Sequence, residues 1–235
     1  LLKRVRDIAQ VEFRGDITEE VARAAARQIR FLLQDAHVMA VTGGRTVALT
    51  AEAISVAAPM DLTVVPAQGG MGGGVSTQAN TVAERFAQKL GGYYRFLHLP
   101  DGLSGAAADE LARLPQVREP LELVRHADVL LYGIGRAMEL AQRRGLSAAE
   151  RDRLAQEGAV AEALGFYMNA QGRVVGGGSS LAIQPEDIGR KNRAAAVAAG
   201  RAKAEAILAV CAHHPHKLLV VDEGAALRMM ELLRA

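Results

Sequence analysis

The chain has 235 residues, half of them hydrophobic, and its 28 basic and 26 acidic residues leave a net charge of only +2. With 4% aromatic residues and no Trp, this composition disfavours a base-stacking nucleic-acid surface or a strongly charged membrane-binding face. The single cysteine and the lack of any apolar run of about 18 residues lead us to expect a cytoplasmic protein with no membrane segment.

The first elements in chain order are a linker and a helix. Residues 1–16 mix basic and apolar side chains, and we interpret them as a linker with an edge segment. Because the chain begins with Leu1 rather than Met, we expect it to be a fragment of a longer protein. Apolar residues at helical spacing then predict a helix over 17–33.

The stretch that follows predicts a binding loop between a strand and a helix. Residues 38–41 are all apolar, as in a strand buried on both faces of a parallel sheet, and a helix is predicted over 47–57. Backbone N–H groups at such a junction can point at an anion. A tight connection with no ligand explains the same residues equally well. The residues concerned are Gly43, Gly44, Arg45 and Thr46.

A second predicted strand, over 61–66, ends in the glycine-rich segment 67–74. The next helix begins with polar residues, and Ser76 or Thr77 is its predicted N-cap. Gln78 and Asn80 would then lie on the first turn, where their amides could bind the hydroxyls of a small molecule. The alternative is that they cap the helix and face water.

The middle of the chain continues the alternation of strand and helix. A third strand is predicted over 94–99, followed by helices over 105–118 and 119–126 that are broken at Pro115 and Pro120. The apolar segment 127–135 predicts another strand, ending in Gly133-Ile134-Gly135. This turn lacks the third glycine of the dinucleotide-binding fingerprint, which disfavours NAD.

The last third of the chain adds three polar candidates. Glu162 follows a predicted helix over 148–157 and could accept hydrogen bonds from sugar hydroxyls, or could equally be an exposed or salt-bridged residue. Lys203 lies in the first turn of a helix after the strand 195–200, where a bound phosphate would explain a basic residue. Asp222 follows the last predicted strand.

Strands that end in glycine and alternate with helices predict a Rossmann-like open, mostly parallel sheet with helices on both faces. Ligands of such sheets bind beyond the carboxyl ends of the strands. We therefore expect the candidate residues to lie along one edge of the sheet and to hold a phosphorylated, hydroxyl-rich ligand.

Seven short motifs in this order resemble the effector-binding domain of SorC/DeoR-type sugar-responsive bacterial regulators, over roughly residues 17–235. They are Thr42-Gly43-Gly44-Arg45-Thr46, Pro66-Ala67-Gln68-Gly69-Gly70, Gln78-Ala79-Asn80-Thr81, Gly133-Ile134-Gly135 with Arg143-Arg144, Gly158-Ala159-Val160-Ala161-Glu162, Ala199-Gly200 with Lys203, and Asp222-Glu223-Gly224-Ala225-Ala226. The resemblance implies a fold similar to sugar-phosphate isomerases and deaminases, with a small inserted subdomain and no catalysis.

The resemblance also implies roles for individual residues. Gly44, Arg45, Thr46 and Lys203 would bind the phosphate. Gln78, Arg143 and Glu162 would bind the remainder of the sugar. Two positions depart from the pattern of the regulators that this chain most resembles. Arg45 stands where those regulators have Thr, and Gln68 stands where they have Arg. Arg45 could replace the lost cation from the opposite side of the pocket; otherwise the ligand has changed, and fructose 1,6-bisphosphate in particular is in doubt.

Residues and resemblance together give the following set of candidate ligand-binding residues: Gly43, Gly44, Arg45, Thr46, Gln68, Gly69, Gln78, Asn80, Arg143, Glu162, Lys203 and Asp222.

The favoured hypothesis is a non-enzymatic sensor domain, over 17–235, that binds a phosphorylated sugar without metal or cofactor. We expect it to form a homodimer or homotetramer and to reach DNA through a helix-turn-helix domain preceding Leu1. The first alternative is a sugar-phosphate isomerase or deaminase that uses Glu162 or Asp222 as base and Lys203 as electrostatic partner. The second is an oligomerisation module that binds no ligand.

Overall fold

The centre of the fold is a six-stranded sheet in which every neighbouring pair of strands is parallel. The computed structural model describes residues 16–69, 74–99, 103, 105–178, 181, 183–188, 193–212 and 216–234. The strands of the described residues are β1 (Val38–Val41), β2 (Thr63–Pro66), β3 (Tyr93–Tyr94), β4 (Val129–Gly133), β5 (Gly135–Arg136), β6 (Ala159–Ala163), β7 (Phe166–Asn169), β8 (Val174–Gly177), β9 (Arg193–Ala198) and β10 (Leu218–Val221). The order across the main sheet is β10-β9-β4-β1-β2-β3.

Short apolar runs form the central strands because side chains on both faces of this sheet are buried. Met39 and Val41 of β1 pack into the hydrophobic cluster on one face, whereas Ala40 between them packs into the cluster on the other. The register of β1 against β4 pairs Met39 with Val129 and Val41 with Leu131. The prediction of an open, mostly parallel sheet is confirmed.

Helices cover both faces of the sheet, as predicted. The described helices are α1 (Ile17–Leu32), α2 (Arg45–Ala53), α3 (Ala79–Leu90), α4 (Gly105–Arg113), α5 (Pro115–Arg125), α6 (Ala137–Arg143), α7 (Ala148–Gln156), α8 (Pro185–Ile188), α9 (Ala204–Cys211) and α10 (Glu223–Leu232). Residues of α1, α2 and α3 form one core with the sheet, and residues of α5, α9 and α10 form the other. None of the described helices is long and apolar enough to cross a bilayer.

A small antiparallel sheet lies between β4 and β9 in the chain. Its strand order is β5-β6-β7-β8, and β6 and β7 are joined by a tight turn at Leu164 and Gly165, both of which have positive φ. Ala161, Ala163 and Met168 of this hairpin pack into the core that contains α9. This sheet is the small inserted unit that the family resemblance implied, and it brings Glu162 of β6 towards the main sheet.

Two predictions about the middle of the chain are wrong. The third strand does not run over 94–99, because β3 ends at Tyr94 and the backbone of Leu97 is instead bonded to the Asn80 side chain. Pro120 does not break a helix, because α5 continues through it and buries Leu121 and Val124 beyond it. Packing of that apolar face outweighs the local cost of a proline inside the helix.

The strand order fixes where a ligand can bind. Successive strands are added outwards on one side of β1 and then on the other, so the order reverses between β1 and β4. A crevice forms at such a switch point, beyond the carboxyl ends of the strands, because the loops leaving the two central strands diverge there. The segments that follow β1 and β4 are residues 42–46 and 134–136.

Candidate functional site

A cavity of about 270 Å³ opens at this switch point. Residues that follow β1, β2, β4 and β9 line it, together with residues of α6 and the inserted sheet. Of the twelve candidate residues, nine line the cavity: Gly43, Gly44, Arg45, Thr46, Gln68, Gln78, Arg143, Glu162 and Lys203. Segments that are distant in the sequence therefore meet where the parallel-sheet argument expected them.

The loop after β1 forms one wall and depends on both of its glycines. A Cβ atom on Gly43 would lie 2.4 Å from the carbonyl oxygen of Thr77, so only glycine allows the loop and the start of α3 to approach so closely. Gly44 has a φ of +106° and donates its backbone N–H to the same carbonyl at 2.8 Å. These two contacts hold the loop against the α3 segment.

The N-terminus of α2 is left without a side-chain cap beside the cavity. Its N-cap residue is Gly44, which has no side chain, whereas Asp16, Ser147 and Asp222 cap α1, α7 and α10 with their own oxygens. The first-turn N–H groups of a helix have no partner within the helix, and together they attract an anion. The start of α2 therefore provides backbone donors for a negatively charged group.

Lys203 brings a positive charge to the same cavity from the segment after β9. Burial lowers its pKa below the ordinary value; Glu139 opposes this shift, Arg143 adds to it, Asp222 opposes it and Arg45 adds to it. A lysine in such surroundings carries a charge that is only partly compensated, so a bound anion would stabilise its ammonium form.

Arg45 and Arg143 also line the cavity but are more exposed than Lys203. The Arg45 guanidinium forms an ion pair with Asp16, the N-cap residue of α1, and 61% of the Arg45 side chain is exposed. Arg45 must leave or share this partner if it is to bind a ligand. Whether Arg45 replaces the arginine that the family has at the position of Gln68 stays a prediction.

Glu162 is buried in an ion pair on the opposite wall. Its Oε1 accepts a hydrogen bond from Arg144 Nη2 at 2.8 Å and another from the backbone N–H of Gly165 at 2.7 Å. Burial raises the pKa of Glu162, and Arg144, the Gly165 N–H and Arg143 oppose this shift. Of the alternatives that the sequence left open for Glu162, the structure shows the salt-bridged one, with Arg144 as its partner. Arg143, the arginine that the resemblance assigns to the sugar, also lines the cavity, and its role in binding stays a prediction.

Three candidate residues do not line the cavity: Gly69, Asn80 and Asp222. Asn80 Nδ2 donates to the Leu97 carbonyl at 3.1 Å, and Asn80 Oδ1 accepts from the Leu97 N–H at 3.0 Å, so its amide is used within the fold. Asp222 accepts hydrogen bonds from the N–H groups of Gly200 and Ala225 and joins the end of β9 to the start of α10. Both positions hold elements together beside the site.

The predicted start of α3 also needs correction. Residues Val75–Thr77 form a 3₁₀ turn, and α3 begins at Ala79 with Gln78 as its N-cap residue. Neither Ser76 nor Thr77 caps α3, and the Gln78 side chain makes no capping bond. Gln78 therefore keeps its amide available at the edge of the cavity. Residues 70–73 of the glycine-rich segment lie outside the described residues.

Comparison with known proteins is consistent with this geometry. A family model described as "Putative sugar-binding domain" matches residues 2–231. The chain is 37% identical over 215 residues to the central glycolytic genes regulator of Bacillus subtilis (strain 168), covering 91% of this chain and 63% of the relative. It is 38% identical over 213 residues to the regulator of the same name from Priestia megaterium, covering 89% and 62%.

A solved structure described as a SorC family transcriptional regulator from Enterococcus faecalis superimposes with a TM-score of 0.83 at 32% identity. The match covers 93% of this chain and 90% of that one. The chain belongs to this family of sugar-binding domains. The resemblance drawn from the seven motifs is thereby confirmed, and the chain spans less than two thirds of the length of the curated regulators it matches.

Within this sugar-binding domain, sequence reasoning missed several cavity residues. The most informative are Thr42, Thr77 and Arg144. Thr42 accepts a hydrogen bond from the Gly133 N–H at 3.2 Å and so joins the loops that follow β1 and β4. Its place directly after a buried strand could have signalled it. No group of His, Cys, Asp and Glu side chains able to hold a metal ion is present among the described residues of the domain.

We predict that Asn80→Ala destabilises the sugar-binding domain by about 1–3 kcal/mol, because the partly buried backbone of Leu97 loses both partners. Urea denaturation measures this effect. Gln88→Ala, on the exposed face of α3, is the matched control and should change the unfolding free energy by less than about 0.5 kcal/mol. Equal stability of the two variants would contradict the structural role of Asn80.

Proposed function

We propose that this domain binds a phosphorylated sugar in the switch-point cavity and acts as the sensor of a transcriptional regulator. The phosphate would lie at the start of α2, where uncapped backbone N–H groups and the Thr46 hydroxyl can donate to it, with Lys203 supplying charge. The Gln78 amide and Arg143 would bind hydroxyls of the sugar. The buried pair of Glu162 and Arg144 would close the far wall.

The observation that carries this proposal is the meeting of the uncapped α2 N-terminus with a partly buried lysine in one cavity. Each feature alone is common in α/β proteins. Together they supply backbone donors and a cation for one small anion, which a cavity with no ligand would leave unsatisfied. Membership of the sugar-binding family makes a sugar the favoured bearer of that anion.

The regulatory part of the proposal follows from the named relatives. The curated proteins that this chain matches are regulators of central glycolytic genes. A sensor of this kind would contact DNA through a domain preceding the part that we describe, and would act as a homodimer or homotetramer. The sugar controls DNA binding only if it binds one assembly state more tightly than another.

The geometry disfavours the enzyme alternative. Asp222 does not line the cavity, and its carboxylate oxygens already accept two backbone hydrogen bonds. Glu162 is paired with Arg144, so its Oε1 is not free to remove a proton from a substrate carbon. Substrate turnover that Glu162→Gln abolishes, measured on hexose and pentose phosphates, would reverse this conclusion.

Isothermal titration with a panel of phosphorylated sugars and inorganic phosphate tests the binding site. We expect Lys203→Met to weaken the bound sugar phosphate by about 1.5–3 kcal/mol, the range for a hydrogen bond to a charged group. Lys217→Met, an exposed change at the opposite end of the sheet from the cavity, is the matched control and should leave affinity unchanged. Loss of binding in both variants, or in neither, would contradict the phosphate assignment.

Breaking the ion pair of Asp16 with Arg45 should instead raise the affinity for the sugar phosphate. Asp16→Asn keeps a good N-cap for α1 but removes the charge that holds Arg45. Arg45 is then free for the phosphate, and we expect the affinity for the sugar phosphate to rise about two- to fivefold, as for an exposed ion pair. The same titration measures it, with Asp61→Asn as the control. An unchanged or lower affinity would contradict the proposal that Asp16 holds Arg45 away from the phosphate.

A further inference from the structure

On one side of the cavity none of the described residues is charged. Its described residues between β2 and α3 are Gln68, Gly74, Thr77 and Gln78. The cations that line the cavity come from α2, α6 and the segment after β9. The strands β2, β1, β4 and β9 are successive neighbours and together span about 14 Å at about 4.8 Å per strand. The neutral residues follow β2 at one end of this span, and Lys203 follows β9 at the other.

Gln68 is the buried polar residue of the neutral end. Only 4% of it is exposed, and its Oε1 has no hydrogen-bond partner among the described residues. A buried amide oxygen without a partner costs free energy unless a ligand or water supplies a donor. The terminal torsion of glutamine is soft, so either polar atom of the amide can be turned towards the cavity.

The Gln68 amide and the absence of charged residues around it both favour a sugar hydroxyl over a phosphate as the ligand group at the neutral end. A sugar hydroxyl can both donate to the amide oxygen and accept from the amide nitrogen. A phosphate dianion offers only acceptors, so it would leave the amide oxygen unsatisfied. It would also be taken out of water beside uncharged residues, and an unpaired charge in that position is costly.

We propose that Gln68 determines ligand specificity by selecting a sugar that carries one phosphate. The phosphate lies at the cationic end, and an unphosphorylated hydroxyl at the other end of the sugar hydrogen-bonds to the Gln68 amide. Sugar bisphosphates are disfavoured because their second phosphate meets the neutral end. This inference rests on the proposed function and names the class of sugar that the same site accepts.

Matched pairs of ligands test the inference on the unmodified chain. Fructose 6-phosphate is compared with fructose 1,6-bisphosphate, and glucose 6-phosphate with glucose 1,6-bisphosphate, by isothermal titration. We expect the monophosphate of each pair that binds to have at least about tenfold higher affinity, as expected when one buried polar group is left unsatisfied. Equal or tighter binding of the bisphosphate in every such pair would overturn the role of Gln68 and leave the phosphosugar sensor intact.

Variants of Gln68 provide the second measurement. Gln68→Leu should weaken the monophosphate about tenfold, because the hydroxyl loses its partner. Gln68→Arg should reverse the preference towards the bisphosphate, because it places a cation at the neutral end. Gln88→Leu, an exposed glutamine on α3, controls for the substitution itself, and melting temperatures confirm that each variant folds.

The outcomes separate the two proposals. An unchanged preference in Gln68→Arg and Gln68→Leu, with both variants folded, would overturn the specificity role alone. If no phosphorylated sugar of the panel binds the unmodified chain, the proposed function fails, and the inference that rests on it fails as well.

Discussion

All six strands of the main sheet run in the same direction, so their carboxyl ends and the loops that follow them share one edge. The order of the strands reverses between β1 and β4, and the loops that leave these two strands therefore separate and open a cavity. Every polar group that we assign to the ligand reaches this cavity because it follows a strand or lies on an element packed beside that edge. Thr42 holds the two central loops together through the Gly133 N–H.

The two glycines that follow β1 shape the cavity loop in different ways. Gly43 allows the loop to touch the backbone before α3, and Gly44 supplies a backbone conformation that other residues rarely adopt. A glycine N-cap also has no side chain with which to cap the first N–H groups of α2. The sequence of this loop therefore specifies its close packing and is compatible with the anion site that we propose.

The sequence predicted the parallel sheet and the strand ends at one edge, because buried apolar runs and strand-to-glycine junctions are local signals. These signals also pointed to most of the nine cavity residues, whereas Arg143 was named only through the family resemblance. The sequence did not predict the partners of Asn80 and Asp222, since these depend on contacts with Leu97 and Gly200 that are distant in the chain. For the same reason it did not identify Arg144 as the partner of Glu162. Arg143 ends α6 and Arg144 follows it, their side chains point in different directions, and the packing of α6 against β6 decides which one meets Glu162.

Polar residues near the site fall into two groups: those whose hydrogen-bonding groups already have partners within the fold, and those whose groups do not. Asn80 and Asp222 use their hydrogen-bonding groups on backbone atoms, and Glu162 uses its carboxylate on Arg144 and Gly165. Gln68 and Lys203 are different: an amide oxygen of the first lacks a partner among the described residues, and burial disfavours the charged form of the second. A ligand gains most from groups that folding has left unsatisfied, because their desolvation cost is already included in the stability of the domain. This distinction supports our proposal of an anion at Lys203 and a hydroxyl at Gln68, because the two ends of the cavity are chemically unequal before any ligand binds.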